Sequence, residues 1–316
     1  MEIRNVGRSG LRVSAVGLGC NNFGWRIELE PSRKVVHKAL DLGVTLLDTA
    51  DMYGDGRSEE MLGQILGARR KDVVLATKFA AAFTGMTGGP FASRGYVMGA
   101  VEASLKRLKT DWIDLYQYHW ADPRTPMEET LRALDDLIRQ GKVRYIGISN
   151  HPAWRVADAH WLARRNGLNG FVSCQDEYSL LVRDAERELM PAMRAFGLGL
   201  LPYFPLASGL LTGKYAKGAA LPADARFASQ SMGRLGQRYM TEANWAVVER
   251  LQAFCAERGH RLLELAFSWL ASNPVVGSVI AGATKPEQID ENVKAVGWAL
   301  GAEDLAEIDR LTGKTK

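Results

Sequence analysis

Four ionisable side chains stand at or just after the ends of three short apolar runs: Asp48, Tyr53, Lys78 and His119. The runs are TLLDTADMYG (45–54), VVLATKF (73–79) and IDLYQYHW (113–120). If these runs are parallel strands of a barrel, their carboxyl ends meet at one mouth. An acid, a phenol, an amine and an imidazole gathered there predict a proton donor to a carbonyl oxygen. We expect neighbouring positive charge to lower the pKa of the Tyr53 phenol toward neutrality.

Each of these residues also has an ordinary structural interpretation. Asp48 could cap the following turn, Lys78 could extend its charged end to solvent, and His119 could be a hydrogen-bonded histidine at a strand end. A Schiff-base aldolase with Lys78 as nucleophile is a further alternative. Against it, Asp48 is placed to pair with Lys78, which favours the charged ammonium over the neutral amine.

Eight strand-like runs alternate with helical patterns along the chain, which predicts a parallel sheet closed into a (β/α)8 TIM barrel. We expect strands at 15–18, 45–48, 73–78, 113–119, 143–149, 171–175, 199–203 and 277–281. The expected helices are 31–42, 58–66, 93–108, 127–140, 152–165, 185–196, 241–258 and 262–271. A hairpin around Gly7–Gly10 precedes the barrel, and a long Gly-rich loop, 208–237, separates strands seven and eight. Residues 1–316 are expected to form one domain.

Composition excludes several classes of partner. Lys and Arg number 40 against 36 Asp and Glu, so the net charge of +4 does not indicate nucleic-acid binding. No apolar stretch reaches the ~18 residues of a membrane span. The three cysteines are isolated and lack metal-ligand spacing, so we expect reduced thiols, no metal and a cytoplasmic location. The sequence does not determine the oligomeric state.

One glycine pattern resembles a dinucleotide-binding motif but lacks its defining spacing. Gly17-Leu18-Gly19 follows a strand, as in a dinucleotide-binding fingerprint, but the third glycine position holds Asn22 and the next helix begins near Pro31. We interpret this segment as the first loop at the barrel mouth.

Six ordered motifs together resemble the aldo-keto reductase family over essentially the whole chain. They are LLDTADMYGDGRSEEMLG, LATKF, LYQYHWAD, KVRYIGISN, PYFPLASGLLTGKY and IAGATKPEQIDENVKA. The segments GKVRYIGISN and PLASGLLTGKY are similar to the branch with potassium-channel β subunits and bacterial sugar or pyridoxal reductases. The resemblance implies NAD(P)H-dependent reduction of aldehydes or ketones, or the reverse oxidation of alcohols or lactols. A redox-sensing regulatory or scaffold protein that binds the cofactor but turns over little is the alternative.

The same resemblance implies the catalytic roles. Tyr53 is expected to be the general acid in reduction and the base in oxidation. Lys78 would lower the pKa of that phenol, Asp48 would hold Lys78 as an ion pair, and His119 would orient and polarise the carbonyl.

Cofactor contacts are implied along the whole barrel mouth. Neutral groups for the nicotinamide carboxamide are expected from Ser149, Asn150 and Gln175, with Tyr203 as a stacking ring. The pyrophosphate is expected to lie on Phe204, Pro205, Leu206, Ser208 and Gly209 with Lys214, and Arg226 is expected to cover the adenine half. The first loop would contribute Gly19, Cys20 and Asn21 beside Asp48. The adenosine site would comprise Gly282, Thr284, Lys285, Gln288, Glu291 and Asn292.

The cofactor's 2′-phosphate partners depart from the aldose reductase pattern. Gly282, Ala283 and Gln288 stand where that pattern has a Lys, a Ser and an Arg. We still expect NADP(H), because Thr284, Lys285 and Arg226 could supply a hydroxyl and two cations, with NAD as the other possibility.

The substrate is predicted coarsely. Trp25, Phe79 and Trp120 are expected to form an apolar wall at the mouth. A carbonyl compound or a sugar fits that wall, and nothing in the sequence chooses between them.

Overall fold

A computed structural model describes residues 1–80, 91–215, 217 and 238–314. Its centre is a sheet of eight parallel strands in the order β10-β3-β4-β5-β6-β7-β8-β9. The strands are β3 (Val16–Gly19), β4 (Leu46–Asp48), β5 (Val74–Phe79), β6 (Ile113–Tyr118), β7 (Val143–Ser149), β8 (Ser173–Gln175), β9 (Gly199–Leu200) and β10 (Val279–Gly282). The predicted eight parallel strands are therefore confirmed, and their ends differ from the expected ones by at most three residues.

Backbone contacts between β9 and the segment before β10 bring the two edges of the sheet together. The Leu200 N–H donates to Val275 O at 2.7 Å, and the Gly277 N–H donates to Leu200 O at 2.9 Å. Leu200 and Val276 form an isolated parallel bridge. The sheet thus curls into the (β/α)8 barrel that the alternation of elements predicts.

An antiparallel hairpin, β1 (Ile3–Asn5) and β2 (Arg12–Ser14), precedes the barrel, as predicted. Val6, Leu11 and Val13 from this hairpin join an apolar cluster with the barrel residues Leu46, Ala76, Leu115, Leu201 and Ile280. Gly7 has a φ of +58°, and a Cβ there would lie 2.3 Å from Gly197 O. The hairpin therefore packs against the N-terminal end of the barrel, opposite the mouth, and its turn requires glycine.

Ten α-helices are present in the described part of the chain, and those that follow strands pack outside the sheet. They are α1 (Leu29–Asp41), α2 (Arg57–Leu66), α3 (Arg94–Leu108), α4 (Met127–Arg139), α5 (Ala153–Asn166), α6 (Leu189–Phe196), α7 (Glu242–Glu257), α8 (Leu262–Ser272), α9 (Pro286–Lys294) and α10 (Ala302–Leu311). The predicted helix 185–196 is shorter, because Pro191 is tolerated in a first turn but would break a helix begun at Ala185. Helices α9 and α10 have no counterpart among the eight expected helix ranges.

The predicted long loop begins with a 3₁₀ helix, Ala207–Thr212. Within 208–237 the structure describes 208–215 and 217, so Arg226 and most of this segment lie outside the described residues. Within the described ranges, every helix is too short or too polar to span a membrane.

Candidate active site

A buried ion pair joins the ends of two neighbouring strands. Asp48 is the last residue of β4, and Lys78 is the penultimate residue of β5. The Lys78 Nζ donates to Asp48 Oδ2 at 2.8 Å and to the carbonyl oxygen of Thr49 at 2.7 Å. The Lys78 side chain has no solvent-exposed area. Burial lowers the lysine pKa, but the Asp48 carboxylate outweighs that effect and the net pKa is raised, so Lys78 is an ammonium.

Tyr53 lies over this ion pair. The hydroxyl oxygen of Tyr53 is 3.4 Å from Lys78 Nζ, and the ammonium lies 4.9 Å from the centre of the phenol ring. Loss of water around the phenol raises its pKa, the Lys78 charge opposes this, and the Asp48 charge adds to it. The net pKa is above that of free tyrosine, opposite to the direction expected from the sequence. The physical reason is that burial of the phenol outweighs the Lys78 charge, part of whose effect is also offset by Asp48.

His119 faces Tyr53 across the mouth. Their ring centroids are 6.2 Å apart at an interplanar angle of 83°. Burial, with the nearby Lys78 charge, lowers the His119 pKa well below its usual value, so the imidazole is neutral. Its buried Nδ1 has no hydrogen-bond partner among the described residues. A neutral ring can donate one hydrogen bond from one of its nitrogens.

Two glutamine amides hold the Asp48 carboxylate from the other side. Gln175 Nε2 donates to Asp48 Oδ1 at 2.9 Å, and Gln117 Nε2 donates to the same oxygen at 3.2 Å. The sequence analysis placed Gln175 at the site but did not find Gln117. The run LYQYH offered one signal, a polar amide at an inward-facing position two residues before His119.

Asn150 connects the predicted nicotinamide residues to one another. Its Nδ2 donates to His119 O at 3.0 Å and to Ser149 Oγ at 2.9 Å, while its Oδ1 accepts from Tyr203 Oη at 2.8 Å. Ser149 Oγ donates to Gln175 O at 2.7 Å. Asn150 has a φ of +58°, which turns the chain back over the strand end. The structure therefore brings Ser149, Asn150, Gln175 and Tyr203 together beside His119.

The predicted pyrophosphate segment has an unusual backbone. Phe204, Ala207, Ser208 and Gly209 all have positive φ, with Gly209 at 109°. The buried Ser208 Oγ has no hydrogen-bond partner among the described residues. A hydroxyl without a partner, in a loop of left-handed residues, fits an anionic ligand that accepts from it. Pro205 is buried, Leu206 is half-buried, and Lys214 lies at the exposed end of the segment.

The predicted adenosine residues run from the end of β10 into α9. Gly19 pairs in register with Gly282, and a Cβ at Gly282 would lie 3.2 Å from Asn21 Oδ1. At the start of α9, Gln288 Oε1 accepts from the backbone N–H groups of Thr284 at 2.7 Å and Lys285 at 3.3 Å. Gln288 therefore caps this helix. Along α9, Glu291 is exposed and Asn292 is buried.

Cys20 and the three predicted substrate residues occupy different environments. Cys20 is fully buried, and burial raises the pKa of its thiol well above the usual range. Trp25 and Trp120 are 41 % and 38 % exposed, respectively. Phe79 has no exposed area and packs between Tyr116 and Tyr118, at centroid distances of 4.8 and 5.3 Å. The prediction for Phe79 needs correction: strand alternation sends Lys78 into the barrel and Phe79 into the outer core.

Asp176 is a second residue that the sequence analysis missed. It follows Gln175 directly, and burial raises the pKa of its carboxyl to about 8, although the Asn150 N–H lowers it in part. No sequence pattern marked it, because its environment depends on how the β7 and β8 loops pack. Within the described ranges, no group of three His, Cys, Asp or Glu side chains is arranged to hold a metal ion.

The fold and the arrangement of side chains at the barrel mouth define a class of protein. The model of the Aldo/keto reductase family matches residues 15–312, and the chain belongs to that family. The comparison agrees with the resemblance carried by the six motifs.

Individual relatives are similar along nearly their whole length. A probable voltage-gated potassium channel subunit beta of Oryza sativa subsp. japonica is 41% identical over 303 residues, covering 94% of this chain and 91% of the relative. L-glyceraldehyde 3-phosphate reductase of Escherichia coli (strain K12) is 36% identical over 324 residues, covering 98% and 92%. Versiconal hemiacetal acetate reductase of Aspergillus parasiticus is 33% identical over 331 residues, covering 96% and 95%. Oxidoreductases of carbonyl compounds are thus among its relatives.

Proposed function

We propose that this chain is a single-domain, NADPH-dependent reductase of aldehydes or ketones, working in the cytoplasm, with Tyr53 as the proton donor. The observation that carries the proposal is the arrangement of Asp48, Lys78 and Tyr53. The lysine ammonium lies 2.8 Å from the carboxylate and 3.4 Å from the phenol oxygen. That arrangement combines a proton donor with a fixed positive charge that stabilises the phenolate left after the proton leaves.

The ion pair disfavours the aldolase alternative. A Schiff base requires a neutral amine that can attack a carbonyl carbon. Lys78 Nζ instead donates to Asp48 and to Thr49 O, and its raised pKa keeps it protonated. Its side chain also has no exposed area through which a substrate could approach.

In the proposed reaction, a bound nicotinamide cofactor supplies the hydride. His119, neutral and facing Tyr53, donates a hydrogen bond that orients the substrate carbonyl. Tyr53 then transfers its hydroxyl proton to the carbonyl oxygen, and Lys78 stabilises the resulting phenolate. In the oxidative direction the phenolate takes the proton back from the alcohol. Trp25 and Trp120, both partly exposed, are proposed to flank the substrate.

The nicotinamide end of the cofactor is proposed to lie on the residues joined through Asn150, with the Tyr203 ring beneath it. The Ser208 hydroxyl and the backbone through Gly209 are proposed to hold the pyrophosphate, with Lys214 as a nearby cation. Thr284 and Lys285 at the N-terminus of α9 are proposed to favour the 2′-phosphate of NADPH. Gln288 supports them indirectly, since its amide oxygen fixes their backbone.

A regulatory role with slow turnover is the second candidate. It is favoured by the 41% identity to a relative named as a probable potassium channel subunit beta. Both candidates use the same cofactor site, so they differ in turnover and not in binding. Two reductase relatives, of L-glyceraldehyde 3-phosphate and of versiconal hemiacetal acetate, favour an enzyme that accepts small carbonyl compounds or hemiacetals.

Cofactor oxidation provides the test. The purified chain is mixed with NADPH or NADH and a panel that includes aromatic aldehydes, short aliphatic aldehydes, L-glyceraldehyde 3-phosphate and free sugars. Loss of nicotinamide absorbance with at least one carbonyl supports the reductase. Tight NADPH binding without turnover on the whole panel favours the regulatory candidate, and absence of nucleotide binding contradicts both.

A further inference from the structure

Asp48 receives three side-chain hydrogen bonds, and two of them come from neutral amides. Oδ2 accepts from Lys78, whereas Oδ1 accepts from Gln117 at 3.2 Å and from Gln175 at 2.9 Å. Both amides are buried. A carboxylate with donors on both oxygens has its orientation fixed, and its charge is partly dispersed into those donors.

Gln117 reaches Asp48 because its partner on the neighbouring strand, Gly147, has no side chain. Gln117 pairs in register with Lys78 on β5 and with Gly147 on β7. A Cβ atom at Gly147 would lie 3.1 Å from Cγ of Gln117 and 2.4 Å from Oγ of Ser173. The absence of a side chain at Gly147 therefore leaves the space in which the Gln117 side chain lies.

The Gln117 amide carries an energetic cost. Its Oε1 is buried and has no hydrogen-bond partner among the described residues. A buried acceptor without a partner destabilises the fold, and an apolar side chain of the same size would avoid that cost. A buried polar atom without a hydrogen-bond partner is typical of functional sites, where a local cost to stability is tolerated.

We propose that Gln117 is a positioning residue for the reaction: its amide holds the Asp48 carboxylate so that Lys78 remains directed at Tyr53. This inference rests on the proposed function, because it assigns a role relative to the Asp48, Lys78 and Tyr53 group. Gln175 makes the same bond from the end of β8, beside the proposed nicotinamide site. Gln117 lies within β6 and is itself not among the residues proposed to bind cofactor.

Loss of the Gln117 donor has a definite direction. With one donor fewer, Asp48 carries a more concentrated negative charge beside Lys78. The Asp48 charge already acts to raise the Tyr53 pKa, so that effect should grow.

The test compares Gln117→Met with Tyr116→Phe. Methionine has nearly the volume of glutamine and no N–H donor. Tyr116 is the adjacent residue of β6, is fully buried, and its hydroxyl has no hydrogen-bond partner among the described residues. The control therefore also alters a buried polar group of the same strand, but on the face that points away from Asp48.

Two readouts are taken for each variant. The first is the pH profile of kcat for reduction of an accepted carbonyl by NADPH. The second needs no activity: the onset of Tyr53 ionisation, followed by NMR of protein labelled with ¹³Cζ-tyrosine and assigned with Tyr53→Phe. For Gln117→Met we expect the kcat profile and the Tyr53 ionisation to move upward by roughly half a pH unit or more, with turnover falling about threefold to tenfold. Tyr116→Phe should leave both unchanged.

The outcomes separate the inference from the proposed function. Wild-type turnover with an unchanged profile and an unchanged Tyr53 titration in Gln117→Met overturns the positioning role while the reductase stands. Absence of turnover in the wild type contradicts the reductase, yet the Tyr53 titration still tests the effect of Gln117. If Gln117→Met does not yield folded protein, Gln117→Asn replaces it, since the shorter amide keeps its polarity but withdraws the donor from Asp48.

Discussion

Lys78 Nζ lies 0.6 Å closer to the Asp48 carboxylate than to the Tyr53 hydroxyl, at 2.8 Å against 3.4 Å. The charge that would stabilise a phenolate is therefore largely matched by an opposite charge. Burial of the phenol is the main reason why the Tyr53 pKa is raised, and the matched charges explain why the ammonium beside it does not reverse that effect. The arrangement keeps the phenol protonated at neutral pH, which is the state that reduction requires. Lys78 then acts mainly as the proton leaves, when negative charge develops on the phenol oxygen.

Replacing Tyr53 by Phe should abolish most carbonyl reduction and leave nucleotide binding nearly unchanged. Only the hydroxyl is removed, and positioned acid catalysis contributes about a hundredfold to ten-thousandfold. The measurement is kcat with an accepted carbonyl, together with the NADPH dissociation constant from fluorescence. Tyr116→Phe serves as the matched control. Wild-type turnover in Tyr53→Phe would show that another group donates the proton.

Replacing Lys78 by Met should affect both stability and chemistry. It leaves the Asp48 carboxylate buried without its cation, which costs about 3 to 5 kcal/mol of unfolding free energy. It also removes the charge that lowers the Tyr53 pKa, so the kcat profile should move to higher pH. Denaturant unfolding and a pH series measure the two effects.

The double variant Asp48→Asn/Lys78→Met separates those effects. With no charge left in the pair, part of the lost stability should return, while turnover stays low because the phenolate has no cation beside it. Recovery of turnover along with stability would contradict the proposed role of Lys78 in stabilising the phenolate.

The sequence predicted the parts of the site that follow from strand ends. Asp48, Lys78 and His119 could be expected to lie near one another because the carboxyl ends of parallel strands share one edge of a barrel. Phe79 was expected on a loop at the barrel mouth, but it is the last residue of β5, and strand alternation sends its side chain to the face opposite Lys78. Gln117 was missed because its role depends on Gly147, a residue on the next strand. Such cross-strand pairs are set by register, which one sequence does not reveal.

The direction of the Tyr53 pKa shift could not be predicted from the sequence either. Opposing contributions from burial, Lys78 and Asp48 act on Tyr53, and their sum depends on distances of a few ångströms. The same holds for Asp176, whose neighbours in sequence give no hint of its environment. Most helix ends, by contrast, lie within two residues of the predicted positions, because caps and prolines act locally.

Asp176 should make the chain less stable as pH rises. Burial raises its folded-state pKa to about 8 from a reference value of 3.8. A carboxyl with a raised folded pKa binds its proton more tightly when folded, so its stabilising contribution is full below about pH 4 and is lost as pH rises toward about 8. Asp176→Asn should therefore increase the unfolding free energy at pH 9 by several kcal/mol, on the order of 1.4 kcal/mol per pKa unit, with little change near pH 3.5.

Asp122 provides the opposite case as a control. Burial raises the pKa of its carboxyl, but hydrogen bonds from the Arg124 N–H, Thr125 and the Ala92 N–H outweigh burial and lower it overall. Asp122→Asn should reduce stability at neutral pH, and the difference should shrink as the solution is acidified through the folded pKa. Parallel pH dependence in the Asp176 and Asp122 variants would contradict the assignment of opposite shifts.

Lys285→Ala should reduce the preference for NADPH over NADH. Lys285 stands at the N-terminus of α9, where the helix dipole and the backbone N–H groups already favour an anion, and its ammonium adds a charge for the 2′-phosphate. A charge-assisted hydrogen bond contributes about 1.5 to 3 kcal/mol, so the kcat/KM ratio of the two cofactors should fall roughly tenfold or more. Lys294→Ala, at the other end of the same helix, is the matched control and should leave the ratio unchanged. A ratio near one in the wild type as well would identify an enzyme that uses either cofactor, because Gly282, Ala283 and Gln288 provide no cation of their own.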